Sequence, residues 1–470
     1  MRTRLMTLLL IIFAYAIAYQ AHAAKADTEL TRRMIERRAV EAVVWGMPVV
    51  NYERMLQAAE KIGAGPNQIA YWSRPFDWHN QTLTPNPDTI YLMPFMDTSK
   101  VGPVVLEIPP AEGGVIVGSV DDAWQMPLVD VGPAGEDKGK GGKYLILPPG
   151  YKGKIPAGYL AVVSPTFKSY ALLRSNVKDR TDASISKAVE YARRIKLYPL
   201  SQAKAPPKTK FVNAIDVLFD TTIPYDVRFF DSLNRMVQSE PWLTRDKVMI
   251  DQLRYIGIEK GKPFAPDEAT KKILNAAAHE ARAWMEAEYE AGFSNTFNKG
   301  TNWALPVFPK FIPDAQAGYS SPDAYAVDAR GISYMFVFFA PKNLCESQFY
   351  FFAIKDNDGN NLDGTRTYHL RVPANAPVRQ YWSIVAYDRE THALIRDVDW
   401  ASRASNMQHV QRNADGSVDI WFGPRAPEGK ESNWIPTKPG RQWEALFRFY
   451  GPEPALFEKT WVLPNIEKVR

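Results

Sequence analysis

Three acidic positions offer general acid–base chemistry. Asp121 and Asp122 close the apolar run VIVGS that begins at residue 115 and precede Trp124, while Asp88 lies upstream in a Pro-rich stretch. Neighbouring carboxylates on an extended backbone point to opposite faces, so Asp121 and Asp122 do not form a catalytic pair by themselves. Pairing one of them with a distant acid such as Asp88 or Asp130 would set two carboxylates beside an aromatic platform, an arrangement that suits glycoside hydrolysis. A metal reading rests on Asp356, Asp358 and Asn360 in the string DNDGNNLDG, which opens like a Ca2+ loop. The EF-hand template then fails, because Asn361 stands where glycine is needed and Thr367 where a bidentate glutamate belongs. The competing reading is a polar turn in which Gly359 and Gly364 supply positive φ.

Several common chemistries lack their residues. No G-x-S-x-G elbow occurs, and His279-Glu280 is followed by Ala283 where a zinc protease would need its second histidine. The glycine- and lysine-rich stretch GPAGEDKGKGGKY (132–144) fits neither phosphate-loop pattern. It reads as an extended loop, with contact to an anion through Lys138, Lys140 or Lys143 as the sharper alternative. Histidines 79, 279, 369, 392 and 409 are scattered without metal-ligand spacing. Cys345 is the sole cysteine, which excludes an intramolecular disulfide and reads as a buried inert thiol.

The elements that must position these residues change character along the chain. Residues 27–63 carry apolar positions near a 3.6-residue period, with Pro48 expected to kink or break the helix. Residues 66–178 alternate short apolar runs with Pro and Gly, which predicts a β domain. Residues 179–300 turn helical, with stripes through Ile185–Ile195 and Phe229–Val237 and an Ala-rich helix from Asp267 to Glu290. Residues 301–470 return to strands at YMFVFFA (334), FYFFAI (349), TYHLRV (367), YWSIVAY (381), SVDIWF (417) and LFRFY (446). At 470 residues the chain is long enough for two or three domains with cores of their own.

Arg2 and Arg4, the apolar run Leu5–Tyr19 and the small residues of Ala21-His22-Ala23 read as a secretory signal peptide cleaved after Ala23. That places the mature chain in the periplasm or outside the cell, with no membrane span after cleavage. Its net charge falls from +5 to about +3, with Arg32, Arg33, Arg37 and Arg38 interrupted by Glu29, Glu36 and Glu41. No basic face of the kind nucleic acid requires is present.

Two sets of strings recur in order. The first is P-N-x-D-T-x-Y at Pro85–Tyr91, then GPVVLEIP, Asp122 and Trp124. The second is Asp358-Gly359, Leu362-x-Gly364, Tyr368, Trp382-Ser383, Asp415-Gly416-Ser417, Asn433-Trp434-x-Pro436 and Arg448-Phe449-Tyr450. This pattern resembles an exported bacterial family built from two domains of unknown function, numbered twelve-fifty-four (here about 70–200) and twelve-fourteen (about 340–455). The resemblance implies an immunoglobulin-like N-terminal β domain, a helical middle and a C-terminal jelly-roll-like β-sandwich, a mainly β chain of α+β class. It carries over no catalytic residues. Arg448, alternating away from the aromatic face of Phe447 and Phe449, is expected to pair with an acid.

Three functions stay open on these residues. The first is binding of a small molecule or carbohydrate in a groove between β domains, with Asn86, Tyr91, Trp124, Lys143, Trp382, Arg403, Trp434 and Arg448 as candidate contacts. The second is hydrolysis by Asp88, Asp121 or Asp122. The third is a structural or assembly role, with homo-oligomers open.

Overall fold

In this computed structural model the described residues are 2–305, 313–314, 317, 321, 323–343 and 348–469, without the side chains of residues 2–27. Cys345 lies outside them. Helix α1 runs Arg2–Lys61, and Pro48 does not end it. Proline there leaves the carbonyl of Val44 without its helical N–H. A later glycine, Gly331, approaches that carbonyl so closely that a Cβ added to it would lie 2.7 Å from the oxygen. The helix continues through Pro48, and the freed carbonyl lies against Gly331.

The chain then lays down strands β1 (Gln68–Tyr71), β2 (Asn80–Gln81), β3 (Ile90–Asp97), β4 (Val104–Ile108), β5 (Ile116–Asp122), β6 (Pro127–Val131), β7 (Gly142–Leu147), β8 (Leu160–Val163) and β9 (Lys168–Ser175). Helix α2 (Asp182–Ala192) follows, capped by the Thr181 side chain, then β10 (Lys196–Pro199), β11 (Phe211–Asn213) and β12 (Phe219–Asp220). Strands β12 and β2 pair as a two-stranded sheet, and the others form two larger sheets, ordered β11-β1-β3-β9-β5-β6 and β10-β4-β7-β8. They enclose one core, with Leu92, Val120 and Leu173 from the first sheet meeting Leu106, Tyr144 and Ile146 from the second. Strands β10, β11 and β12 fall where the sequence predicts helix. They are short, and they are held by pairing to β4, β1 and β2 rather than by any period of their own.

Helices α3 (Val227–Ser239), α4 (Lys247–Tyr255) and α5 (Glu268–Gly292) form the expected middle region. The chain divides into two compact units. The first comprises Met1–Val43, Pro224–Gln238 and Trp242–Ala283, and is helical. In α3 the striped residues Phe229, Phe230, Leu233, Met236 and Val237 are all buried. The second unit holds the β-sheets.

Helix α6 (Val327–Phe336) replaces the strand predicted at 334. Its Ile332, Tyr334, Met335 and Phe336 are all buried, and an apolar run covered on every side carries no period that separates helix from strand. Beyond it come β13 (Gln348–Ala353), β14 (Tyr368–Val372), β15 (Val378–Asp388), β16 (Ser402–Ala404), β17 (Val418–Gly423), β18 (Trp434–Pro436), β19 (Trp443–Pro452), the short helix α7 (Pro454–Phe457) and β20 (Glu467–Lys468). These build a second sandwich from sheets ordered β13-β19-β15-β16 and β18-β17-β14-β20. Phe351, Ile384 and Phe447 of one sheet pack on Leu370, Ile420 and Ile435 of the other. The class is thus α+β, with two sandwiches and helices between and before them.

Candidate functional site

Strand alternation fixes what the outer faces of these sheets present. In β19, Phe447 and Phe449 enter the sandwich core, so Glu444, Leu446, Arg448 and Tyr450 face the other way. In β13, Phe349 and Phe351 likewise point inward, leaving Tyr350 directly opposite Arg448 on the outer face. The first sandwich repeats the motif. Ala171 and Leu173 of β9 point into its core, and Arg174 stands outward, opposite Tyr91 of β3.

Of these outward residues, Tyr91, Arg174, Tyr350, Leu446 and Arg448 line one cavity of about 450 Å³. Its walls come from Val117 and Ser119 of β5, Tyr91, Arg174, the segment 337–341, Gln348, Tyr350 and Phe352 of β13, and Leu446 and Arg448 of β19. Arg448 is only 3% exposed. Its Nη2 donates to the carbonyls of Thr84 (3.0 Å) and Pro85 (3.3 Å) and to the Tyr387 hydroxyl (2.6 Å). Its Nη1 is buried without a partner, as is Nε of the half-buried Arg174. Among the described residues no acid stands where one was expected beside Arg448, and backbone carbonyls take its place. Burial works against charge on both arginines, but the surrounding tyrosine oxygens hold both guanidiniums above their ordinary pKa. Tyrosine faces contribute as well, since each guanidinium carbon sits 5.5 Å from a ring centroid, Arg174 over Tyr91 and Arg448 over Tyr350. Each unpaired buried N–H still costs about 1–3 kcal/mol.

Asp130 is the one carboxylate among the described lining residues, and its oxygens are taken. They accept from the Ser119 hydroxyl, the backbone N–H groups of Lys342 and Asn343 (both 2.8 Å) and the Asn343 amide (2.7 Å). The residue anchors the 342–343 segment to β6.

The string at 84–91 lies against the second sandwich. The Asn86 amide donates to the Tyr450 hydroxyl, and Tyr387 donates to the Pro85 carbonyl at 2.6 Å. Backbone N–H of Asn86 donates to the Tyr91 hydroxyl at 2.8 Å, which fixes the ring that carries Arg174. Asp88 accepts from Ser402 of β16 and from Arg180, both at 2.7 Å. The carboxylate therefore serves an ion pair at this seam, and it does not line the cavity.

The remaining sequence candidates are dispersed. Asp121 and Asp122 are both fully buried, and neither lines the cavity. Burial, then Asp122 and Asp130, raise the Asp121 carboxyl well above the carboxylate range. Asp122 caps a turn by accepting from the N–H groups of Trp124 and Met126. Trp124 packs on Trp45, with centroids 4.6 Å apart. Trp382 lies inside the sandwich core, stacked on Phe447. Trp434 sits edge-on to Trp400 and donates to the Gly423 carbonyl, while Asn433 fastens the same corner to Gln411 and Asp419. Arg403 donates to the carbonyls of Glu431, Ser432 and Ser402. Lys143 is exposed beside the Tyr159 ring. The 132–144 loop closes on Asp137, which accepts from Gly132, Gly141 and Tyr144. At 356–364, Asp356 accepts from the N–H groups of Asp358 and Asn360, a side-chain turn. Among the described residues, no group of three His, Cys, Asp or Glu is placed to hold a metal ion.

Two features escape sequence reading. Arg174 is one, although a lone charge inside the apolar strand YALLRS is a signal in itself. The other is a buried ionic cluster at His392, whose ring nitrogens face Glu444 (2.8 Å) and Glu286 (3.4 Å). Arg389 pairs with Glu286 at 2.7 Å, and Tyr289 donates to Glu444 at 2.8 Å. Burial opposes a charged imidazole, but the two glutamates outweigh it and raise His392 to about 9.

Comparison with known proteins places these strings. Residues 66–199 match the family model described as a protein of unknown function, DUF1254, and residues 347–454 match DUF1214, likewise of unknown function. The chain thus carries a DUF1254 region followed by a DUF1214 region. The DUF1254 match supplies Tyr91, Val117 and Arg174 to the cavity, and the DUF1214 match supplies Gln348, Tyr350 and Arg448. The fold is similar to the crystal structure of the VPA0106 protein from Vibrio parahaemolyticus, at TM-score 0.56 and 18% identity over 93% of this chain and 100% of that one. An uncharacterized protein from Burkholderia cenocepacia aligns at TM-score 0.41 and 13% identity, over 95% of this chain and 96% of that one. No curated protein matches the chain. Among the described residues no helix is long and apolar enough to cross a membrane.

Proposed function

We propose that this protein binds a small molecule in the cavity between its DUF1254 and DUF1214 sandwiches. The observation that carries this reading is the cavity itself. It is about 450 Å³, within the range of small-molecule sites, and its walls come from both matched regions. Binding is favoured over hydrolysis because Asp88, Asp121 and Asp122 are not among the lining residues. The segment Arg2–Ala23 supports export with cleavage after Ala23, which would put the ligand in the periplasm or outside the cell.

A thermal-shift screen of the chain from Ala24 onward tests the reading, paired with Val117→Phe to fill the cavity. A ligand present at about 100 times its Kd adds about 2.7 kcal/mol of stability. The expected result is a rise in Tm with one chemical class that Val117→Phe abolishes. A shift that survives Val117→Phe unchanged would move the site elsewhere.

A further inference from the structure

We propose that the ligand is an organic anion, with an oxyanion head seated between Arg174 and Arg448 and an apolar body along Val117, Phe338 and Leu446. This inference rests on the cavity reading above and names its ligand class. The charge balance of the walls supports it. Two guanidiniums face the space, against one carboxylate, Asp130, whose oxygens are already occupied by Ser119, Lys342 and Asn343.

Hydrogen bonding gives the same answer. Arg448 is 3% exposed, yet Nη1 has no protein acceptor, and Nε of Arg174 has none either. Buried arginines ordinarily meet a carboxylate, and here every assigned partner is neutral: the Gln348 amide at 3.4 Å for Arg174, and two carbonyls and a hydroxyl for Arg448. An incoming oxyanion would balance the excess charge of the two guanidiniums that line the space, a charge-assisted arrangement that arginine's fork suits. A neutral sugar would satisfy hydrogen bonds and leave the charge uncompensated. The apolar majority of the lining excludes a bare inorganic ion as the whole occupant.

The test uses the chain from Ala24 onward and matched eight-carbon probes measured by calorimetry below their micellar concentrations: octanoate, octyl sulfate, octyl phosphate, octan-1-ol and octylamine. The anions are expected to bind, with the alcohol at least about tenfold weaker and the amine silent. Their rank order separates a carboxylate head from sulfate or phosphate. Arg174→Met should weaken the anions about 10- to 100-fold and erase their advantage over the alcohol, with Arg174→Lys recovering part of it. Arg448→Met should do the same. If that variant does not fold, the half-buried Arg174 and the probe series still decide. Equal affinity for octanoate and octan-1-ol, or anion binding untouched by Arg174→Met, overturns the anion assignment and leaves cavity binding standing. Silence of every probe, together with a flat thermal-shift screen, overturns the cavity reading and this inference with it.

Discussion

At the scale of single residues, the second unit buries charge in two different ways. Arg448 and Arg174 face a space and are left partly unpaired, whereas His392 is enclosed by acids and is fully engaged. The histidine gives a pH dependence with a definite sign. Its pKa rises from 6.5 to about 9 on folding, so its contribution to stability is complete below pH 6.5 and is lost as pH climbs through about 9. Glu286 behaves oppositely. Burial would raise it, but His392 and Arg389 lower it from 4.5 to about 2, so its contribution is present above pH 4.5 and fades as pH falls toward 2. Comparing the unfolding free energy of the wild type with that of His392→Gln between pH 5 and 9.5 reads this out. The gap should be on the order of 1–3 kcal/mol wider at pH 6 than at pH 9.5. A gap constant across that range would show that His392 is uncharged in the fold.

At the scale of elements, alternation along strands was the most legible feature of the sequence, and contact between elements the least. The runs at 349, 367, 381, 417 and 446 are strands, and the direction of Arg448 follows from Phe447 and Phe449 entering the core. What lies opposite Arg448 does not follow, because the carbonyls of Thr84 and Pro85 are more than 360 residues away in sequence. Period shows which face is apolar, and says nothing of what covers the other face. The same gap explains α6, where burial on all sides removed the period, and the close approach of Gly331 to the Val44 carbonyl, which no period foretells. That last approach makes a specific prediction. Gly331→Ala would push a methyl to 2.7 Å from a backbone oxygen, and about 1–3 kcal/mol of stability should be lost in urea unfolding. An unchanged midpoint would mean that the two helices are free to separate there.

At the scale of the whole molecule, each sandwich of the second unit has a core of its own, and the two are joined by the seam at 84–91 and by the cavity walls. Independent domains would exchange few polar groups. Here Asn86, Pro85, Asp88 and Thr84 each bond to the second sandwich. The two sandwiches should therefore unfold together. Hydrogen exchange followed in increasing urea should give β3 and β19 the same midpoint, and separated midpoints would show that the seam does not couple them.

The seam also sets a schedule for the newborn chain. Asn86 is made 364 residues before Tyr450, its partner. At roughly 5–20 residues per second, ribosomes need about 20–70 s to supply that partner. Throughout that interval the first sandwich can close its own core, while the outer face with Tyr91 and Arg174 waits uncovered. The cavity is consequently among the last parts of the molecule to exist, completed only when β19, near the end of the chain, is laid against β13 and β15.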